Sequence, residues 1–292
     1  MKYTKFTEVV QQTARACELN TLIYLFQKGK MYVLIGFIIT GVTIVFPYEW
    51  VGNIDRVGFR EPSGIVYHPT RNLLYVVGDE GDILVMRKDG EYVIEKHLAD
   101  ADLEGITVNP STGLLYIAVE GDEKILEVDP DSLVILREFV IDRYFQGKEL
   151  LMRGGQGIEG ITFIPDDEHP EGGTFLVSNQ SFNLEGGEPS VICELEVPIV
   201  SSKSVLDSAK IVRIIYPGII DVSGLYYNPL SNTLFVISDA TNVFLEMSLD
   251  GQILKQYAFI GDDQEGITLD DEGYLYIAQD SGGIIKVRYL GD

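Results

Sequence analysis

The 292-residue chain carries 45 acidic and 22 basic side chains, a net charge of −23, and all of the acidic excess follows residue 50. Such a body repels nucleic acid and anionic lipid headgroups, which argues against nucleic-acid binding. It suits cations or a basic partner, although negative charge also keeps a domain soluble. Cys17 and Cys193 lie on either side of an apolar segment, so no disulfide framework is expected.

Residues 31–48 form an apolar run without a charged side chain, just long enough to cross the hydrocarbon core of a bilayer. The run has no polar face and no small-residue cleavage site after it, so we predict a transmembrane helix instead of a buried helix or a signal peptide. Lys28 and Lys30 precede it and acids follow it. The positive-inside rule then places residues 1–30 in the cytoplasm and residues 50–292 outside.

The rest of the chain contains five repeats, each built around a shared glycine that follows Glu or Ser and precedes Ile or Leu. One repeat reads EGITVNPSTGLLYIAVEGDEKILEVD, from Glu104 to Asp129. Successive glycines are 41, 55, 64 and 42 residues apart. Repeats of this length are typical of propellers and solenoids. The shared glycines are Gly64, Gly105, Gly160, Gly224 and Gly266.

Each repeat contains short β-branched and aromatic runs separated by turn residues, which predicts four strands per repeat. The last repeat ends after three strands, at Tyr289, whereas an extra run, Val51–Phe59, precedes the first. We therefore predict an all-β, five-bladed β-propeller in which this N-terminal strand completes the last blade and leaves no free edge. A sixth blade hidden in the 64-residue third spacing is the alternative.

Two sets of aligned residues should converge at one mouth of the propeller channel, because the first strand of each blade lines that channel. The residues before the shared glycines are Ser63, Glu104, Glu159, Ser223 and Glu265. The residues that end the second strands are Asp79, Glu120, Asn179, Asp239 and Asp280.

So many carboxylates around one opening require a counter-charge, since like charges repel and raise each other's pKa. A hard divalent cation supplies it, and Ca²⁺ accepts six to eight oxygen ligands. Histidine and thiolate are absent from both sets, which argues against zinc or copper. We predict a Ca²⁺ site with Glu104, Glu159 and Glu265 as inner ligands, and with Asn179, Asp239 and Asp280 ligating or supporting them. The alternative is that these residues cap turns and face water.

The three histidines do not fall clearly at this mouth. His68 occupies the turn after a first strand, on the opposite face, His97 follows a fourth strand, and His169 lies in another loop of the opposite face. A histidine general base for ester or lactone hydrolysis therefore has little support, while a carboxylate base with a metal-bound water stays open.

The repeated [E/S]-G-[I/L] pattern, the apolar anchor and the five-fold count resemble the SdiA-regulated, YjiK-like family over residues 50–292. That family is distantly similar to NHL-repeat propellers. The resemblance implies a single-pass protein of the inner membrane of a Gram-negative bacterium, with a calcium-binding five-bladed propeller in the periplasm. More loosely, Glu104, Glu159, Glu265, Asn179 and Asp239 are similar to the calcium ligands of paraoxonase-like and regucalcin-like propellers, but a matching catalytic histidine is missing.

Two functions are compatible with these observations. The first is a calcium-binding module that recognises a small molecule or a periplasmic protein. The second is a calcium-dependent hydrolase of lactones, esters or phosphoesters. Metal-dependent stabilisation without turnover would favour the module, and chelator-sensitive turnover would favour the enzyme.

Overall fold

The structure is a computed structural model that describes residues 23–27, 30–34, 44–152 and 156–291, with side chains from Phe46 onward. Residues 1–43 and 44–292 form two separate compact units.

In the first unit, strand β1 (Ile23–Gln27) pairs antiparallel with β2 (Lys30–Leu34). Strand β2 overlaps the start of the predicted membrane helix, and residues 35–43 of that segment lie outside the described residues. In the described part of the chain, no helix has the length and apolar character needed to cross a membrane.

The second unit begins at Ile44, earlier than the predicted domain start at residue 50. Strand β3 (Ile44–Val45) pairs with a later strand, and β4 (Tyr48–Asn53) follows it. Between them Phe46 is fully buried, with its ring centroid 4.8 Å from that of Phe244. The last residues of the predicted span, 44–48, therefore belong to the sheets because they pair and pack there.

The first repeat forms a four-stranded antiparallel sheet. Its strands are β5 (Pro62–His68), β6 (Leu73–Gly78), β7 (Asp82–Met86) and β8 (Tyr92–His97). The inner strands are rich in buried Val, Ile and Leu, which suits strands covered on both faces. The turns between strands use residues that tolerate positive φ, such as Asn72 at 55° and Gly81 at 86°.

The second and third repeats each form four antiparallel strands, and their outermost strands pair in parallel, so that the two repeats share one eight-stranded sheet. The second repeat contains β9 (Leu103–Val108), β10 (Leu115–Val119), β11 (Lys124–Asp129) and β12 (Val134–Asp142). A small hairpin of β13 (Tyr144–Phe145) and β14 (Lys148–Glu149) follows. The third repeat contains β15 (Ile158–Pro165), β16 (Gly173–Asn179), β17 (Ile192–Glu196) and β18 (Leu206–Ile215).

The fourth repeat is extended at its outer edge by β3, which pairs parallel with β22. Its strands are β19 (Gly224–Asn228), β20 (Thr233–Ser238), β21 (Val243–Ser248) and β22 (Ile253–Ala258). The fifth repeat contributes β23 (Gln264–Leu269), β24 (Tyr274–Gln279) and β25 (Ile284–Tyr289). Strand β4 completes this sheet by pairing antiparallel with β25. The predicted closure by an N-terminal strand is thus confirmed, although the strand starts and ends earlier than predicted.

The first strands of the repeats contact one another in cyclic order, β5–β9–β15–β19–β23 and back to β5. The shared glycines permit this approach. A Cβ on Gly64 would lie 2.2 Å from the carbonyl oxygen of Glu104, and one on Gly266 would lie 2.7 Å from that of Ser63. Because backbone meets backbone at these positions, a side chain there has no room.

Threonines two residues after the shared glycines link neighbouring repeats. The hydroxyl oxygens of Thr107, Thr162 and Thr268 accept hydrogen bonds from the backbone N–H groups of Phe163, Tyr227 and Tyr67, at 3.1, 2.9 and 3.0 Å. The Gly-Ile-Thr pattern therefore encodes contact between sheets and not only strand formation within one sheet.

The hydrophobic core lies between consecutive sheets. Tyr75 and Ile83 of the first repeat pack with Leu103 and Ile117 of the second, for example. Tyr276 of the fifth repeat packs with core residues of the first, so the ring of packed sheets closes on itself. The predicted all-β class is confirmed, and the described part of the chain is a propeller-like arrangement of sheets without helices.

Candidate metal centre

Bulges in the sheets position the residue that precedes each shared glycine. The pairing register between first and second strands shifts at Ser63, Glu104, Glu159 and Glu265. A β-bulge leaves a residue out of the regular alternation and re-aims its side chain. The bulge and the crowded glycine that follows it thus present this side chain at one end of the ring.

Glu104, Glu159 and Glu265 lie in one electrostatic environment: the charges of Glu104 and Glu265 raise the pKa of Glu159, and that of Glu265 raises the pKa of Glu104. Glu159 is only 7% exposed. Burial, followed by the nearby carboxylates, raises the pKa of Glu104 and Glu159 well above the usual range and that of Glu265 to about 9. After burial, the largest electrostatic effects on each of the three glutamates therefore come from other acids.

Acids at the ends of the second strands surround this group. Burial raises the pKa of Asp79 and of Asp239 to about 6, with further contributions from neighbouring carboxylates. Glu120 accepts a hydrogen bond from the backbone N–H of Gly157 at 2.8 Å, and burial raises its pKa as well. The charge of Asp280 raises the pKa of both Asp79 and Glu265, which places it in the same cluster.

A third set of acids, three residues before the shared glycine, was missed by the sequence analysis. Asp102 raises the pKa of Asp79 and Glu104, and Asp221 raises that of Glu159, Asp239 and Glu265. The signal was available, because four of the five repeats carry an acid at this position: Glu61, Asp102, Asp221 and Asp263. Below, the acidic mouth means these carboxylates together: Glu61, Asp79, Asp102, Glu104, Glu120, Glu159, Asp221, Asp239, Asp263, Glu265 and Asp280.

Asn179 ends the second strand of its repeat, as predicted, but its side-chain amide is bound by protein groups. Its side-chain oxygen accepts a hydrogen bond from the N–H of Val191 at 2.7 Å, and its Nδ2 donates to the carbonyl of Leu150 at 3.3 Å. The residue is completely buried and ties two loops together. The serines that replace glutamate are also engaged, since Ser63 donates to Asp79 and Ser223 donates to the carbonyl of Gln264.

The acidic mouth fits a hard divalent cation. Asp79, Asp102 and Glu104 each offer a carboxylate oxygen, and these atoms lie within 4.8 Å of one another. Oδ1 of Asp102 is buried without a hydrogen-bond partner, so this carboxylate has an unsatisfied oxygen in the cluster. A donor set made of carboxylate oxygens suits Ca²⁺ or Mg²⁺ better than zinc or copper.

A buried ion pair lies beside the acidic mouth. Glu123 is fully buried, accepts hydrogen bonds from the N–H groups of Gly121 and Ile158, and lies 3.8 Å from Nη1 of Arg143. Burial raises its pKa to about 7 although Arg143 lowers it. This pair anchors the loop that leads into β15, and hence Gly157, next to Glu120.

The histidines have partners elsewhere. His68 lies at the end of β5 with Nε2 2.9 Å from the carbonyl oxygen of Gly113, at the opposite end of the first strands. His97 is exposed between Asp82 and Asp100. His169 lies in the turn between β15 and β16, where its Nδ1 accepts the N–H of Glu171 at 3.2 Å.

The fold and the site together define an all-β, propeller-like protein with an acidic cluster that can hold a metal ion. The SdiA-regulated family model matches residues 207–282, which confirms the resemblance predicted from the repeats. A second family model, Phytase-like, described as "Esterase-like activity of phytase", matches residues 57–182.

Three solved structures are similar to this chain at low sequence identity. Glutaminyl cyclase of Myxococcus xanthus is 10% identical, with a TM-score of 0.58 over 84% of this chain and 98% of that one. Hydrazine synthase of Kuenenia stuttgartiensis is 17% identical, with a TM-score of 0.43 over 83% of this chain and 58% of that one. A Bacteroides caccae protein of unknown function is also 17% identical, with a TM-score of 0.42 over 70% and 64%. The similarity to the glutaminyl cyclase concerns the fold alone. A search of curated proteins returns no match.

Proposed function

We propose that this protein is a calcium-binding five-bladed β-propeller that acts as a ligand- or protein-binding module. The blade count is supported by the cyclic contacts of the five first strands, by the hydrophobic clusters between consecutive sheets and by the β4–β25 closure. On this interpretation the parallel β12–β18 pairing joins the outer edges of two blades without merging them.

The calcium proposal rests mainly on Glu104, Glu159 and Glu265. Burial and neighbouring acids raise the pKa of each of these carboxyls. Asp79 and Asp102 complete the most compact set of oxygens. A bound Ca²⁺ would supply the missing positive charge and fix the loops that carry these residues. Asn179 is left out of the proposed ligand set because both ends of its amide already have protein partners.

Isothermal titration of the chelator-treated protein with Ca²⁺ tests this proposal. We expect one high-affinity site that is lost, or weakened at least about a hundredfold, in the double variant Glu104→Gln, Glu159→Gln, because two anionic ligands are removed. Glu196→Gln, which changes an exposed carboxylate paired with Lys210 on an outer strand, is the matched control and should bind as the unchanged protein does. Equal affinity in the double variant would remove the proposal.

A second candidate function, a metal-dependent ester or phosphoester hydrolase, is favoured by the Phytase-like match, whose residues include much of the acidic mouth. In that case the cation would act as a Lewis acid, and a carboxyl with a raised pKa, such as Glu265, would donate or accept the proton. Turnover of p-nitrophenyl esters, lactones and phosphoesters with Ca²⁺, abolished by chelator and by Glu265→Gln, would establish the enzyme. Calcium-dependent stabilisation without turnover would leave the binding module.

We also propose that the part of the apolar run that precedes the sheets, residues 31–43, anchors the protein in the inner membrane, with the propeller in the periplasm. The support is the uncharged apolar run and the lysines before it. In spheroplasts, an externally added protease should degrade a tag placed after residue 292 and spare a tag at the N-terminus. The reverse pattern would contradict this orientation.

A further inference from the structure

The end of the ring opposite the acidic mouth contains a cavity of about 350 Å³. Its wall includes the third residue after every shared glycine. In four of the five repeats a proline that follows this residue also lines the cavity: Pro69, Pro110, Pro165 and Pro229. Below, the apolar pocket means the cavity enclosed by these third residues: Tyr67, Val108, Phe163, Tyr227 and Leu269.

The repeat register explains this wall. Side chains alternate along a strand, so the first and third residues after the shared glycine face the same way. The first residues, Ile or Leu in every repeat, narrow the channel to a space of about 10 Å³, which holds one water molecule at most. The apolar pocket is thereby separated from the acidic mouth and does not belong to the candidate metal centre.

The charged side chains in the wall are both acids. Asp270 is buried and already paired, since it accepts hydrogen bonds from the hydroxyl of Tyr276 and the N–H of Tyr274 at 2.9 and 2.8 Å. Asp271 is 64% exposed at the rim, where it accepts the hydroxyl of Tyr67 at 2.9 Å and the ammonium of Lys88 at 3.0 Å. Asp271 therefore retains an accessible anionic edge next to aromatic rings.

We propose that the apolar pocket binds a small organic cation that carries a hydrophobic ring, with the ring inside the cavity and the charged group at Asp271. The volume falls in the range of small-molecule sites, and such sites combine apolar walls with a few polar groups. The faces of Tyr67, Phe163 and Tyr227 attract a cation as well as an apolar ring.

The ammonium of Lys88 lies near the rim, 5.3 Å from the centroid of the Tyr67 ring. It is already paired with Asp270, Asp271 and Glu272. An anion of the same shape would therefore face carboxylates and the negative faces of the rings without an unpaired positive charge in the wall.

Ligand-observed NMR and isothermal titration with three similar probes test this inference on the full-length protein. The probes are 2-phenylethylammonium, neutral 2-phenylethanol and anionic phenylacetate. We expect the cation to bind at least about tenfold more tightly than phenylacetate, with phenylethanol between them. Equal binding of cation and anion would overturn the proposal.

Two variants locate the site. Val108→Trp should fill the cavity and abolish binding of all three probes, and Asp271→Asn should weaken only the cation, by about threefold to tenfold. Asp167→Asn, the same charge change in an exposed turn of the third repeat, is the control and should have no effect. If Val108→Trp does not fold, Asp271→Asn still decides, since unchanged cation binding in that variant contradicts the proposal. Calcium affinity should be unchanged in every variant, so this inference and the calcium proposal fail separately.

Discussion

The two ends of the channel are built by the same five strands and have opposite chemistry. At one end the residues before the shared glycines are glutamates in three repeats and serines in the other two. About 13 Å further along each strand, the third residues after the glycines are aromatic or aliphatic. The two ends differ in whether a positive charge neutralises the buried carboxylates. At the apolar end Lys88 neutralises the buried Asp270, whereas at the acidic mouth the strongest neighbours of each inner glutamate are other acids.

The apolar end is therefore stable with the protein's own groups, whereas the acidic mouth needs a positive charge from outside the chain. Buried, unpaired carboxylates oppose folding unless they bind protons or a cation. The apolar pocket carries no such cost, because most of its wall is hydrocarbon. Perturbing the two ends separately should therefore give different responses.

The largest effect is expected at the shared glycines, which separate the two ends. In Gly64→Ala the new Cβ would lie 2.2 Å from the carbonyl oxygen of Glu104 and 2.9 Å from the N of Ile106, both backbone atoms of the next repeat. We expect a loss of about 3 kcal/mol or more in the free energy of unfolding, measured by urea denaturation. Gly172→Ala, at a positive φ of 75° but with open space around it, should cost only about 1 kcal/mol. Similar losses in both variants would contradict the proposed role of backbone contact.

The next effect is a pH dependence that belongs to the acidic mouth alone. The pKa of Glu265 rises from 4.5 to about 9, so between these values the folded protein holds a proton that the unfolded chain has released. Metal-free protein should therefore lose stability as the pH rises from 5 to 8, by up to about 1.4 kcal/mol per pH unit for each such group. Urea midpoints in chelator, taken at four pH values, measure the slope.

Two variants sharpen this result. Glu265→Gln should reduce the slope between pH 5 and 8 by the contribution of one group, while Glu104 and Glu159 keep theirs. Asp271→Asn should leave the slope unchanged, because Lys88 lowers the pKa of Asp271 and its contribution is lost only on acidification. Saturating Ca²⁺ should also reduce the slope, since the bound ion favours the ionised carboxylates. If the stability of the metal-free protein increased between pH 5 and 8, the raised pKa values at the acidic mouth would be contradicted.

A smaller effect distinguishes the two kinds of second-strand residue. Asn179→Asp removes the Nδ2 donor to Leu150, so we expect a loss of about 1–3 kcal/mol in stability with no change in calcium affinity. Asp239→Asn should do the opposite, weakening calcium binding while stabilising the metal-free protein through relief of repulsion. Parallel calorimetric titrations and urea denaturation read both quantities. Weaker calcium binding in Asn179→Asp, in a protein that remains folded, would restore Asn179 to the ligand set.

The smallest effect concerns the threonine links between repeats. Thr162→Val leaves the N–H of Tyr227 without its 2.9 Å acceptor, which should cost about 1–2 kcal/mol. Thr112→Val, in an exposed turn, is the control and should cost less than about 0.5 kcal/mol. Binding of Ca²⁺ and of 2-phenylethylammonium should change by less than about twofold. A larger change in either would show that the strand wall couples the two ends.

Much of this architecture follows from the repeat pattern alone. The shared glycines aligned the repeats, and that alignment was enough to predict the all-β class, the closing strand and the convergence of Glu104, Glu159 and Glu265. The same alignment contains the acids at Glu61, Asp102, Asp221 and Asp263, which is why the structure could extend the cluster without a new kind of signal.

Other features were decided only by tertiary structure. Asn179 occupies an acidic position in the repeat alignment, but the loops around it bring Val191 and Leu150 within hydrogen-bond distance and change its role. The boundary at Ile44 depends on pairing with a strand more than two hundred residues away. The apolar pocket also depends on tertiary structure, because its wall forms only when the third residues after the five shared glycines come together in the closed ring. Periodicity determines which side chains lie on one face of a strand, while only the packed ring determines which of them meet and whether their charges are compensated.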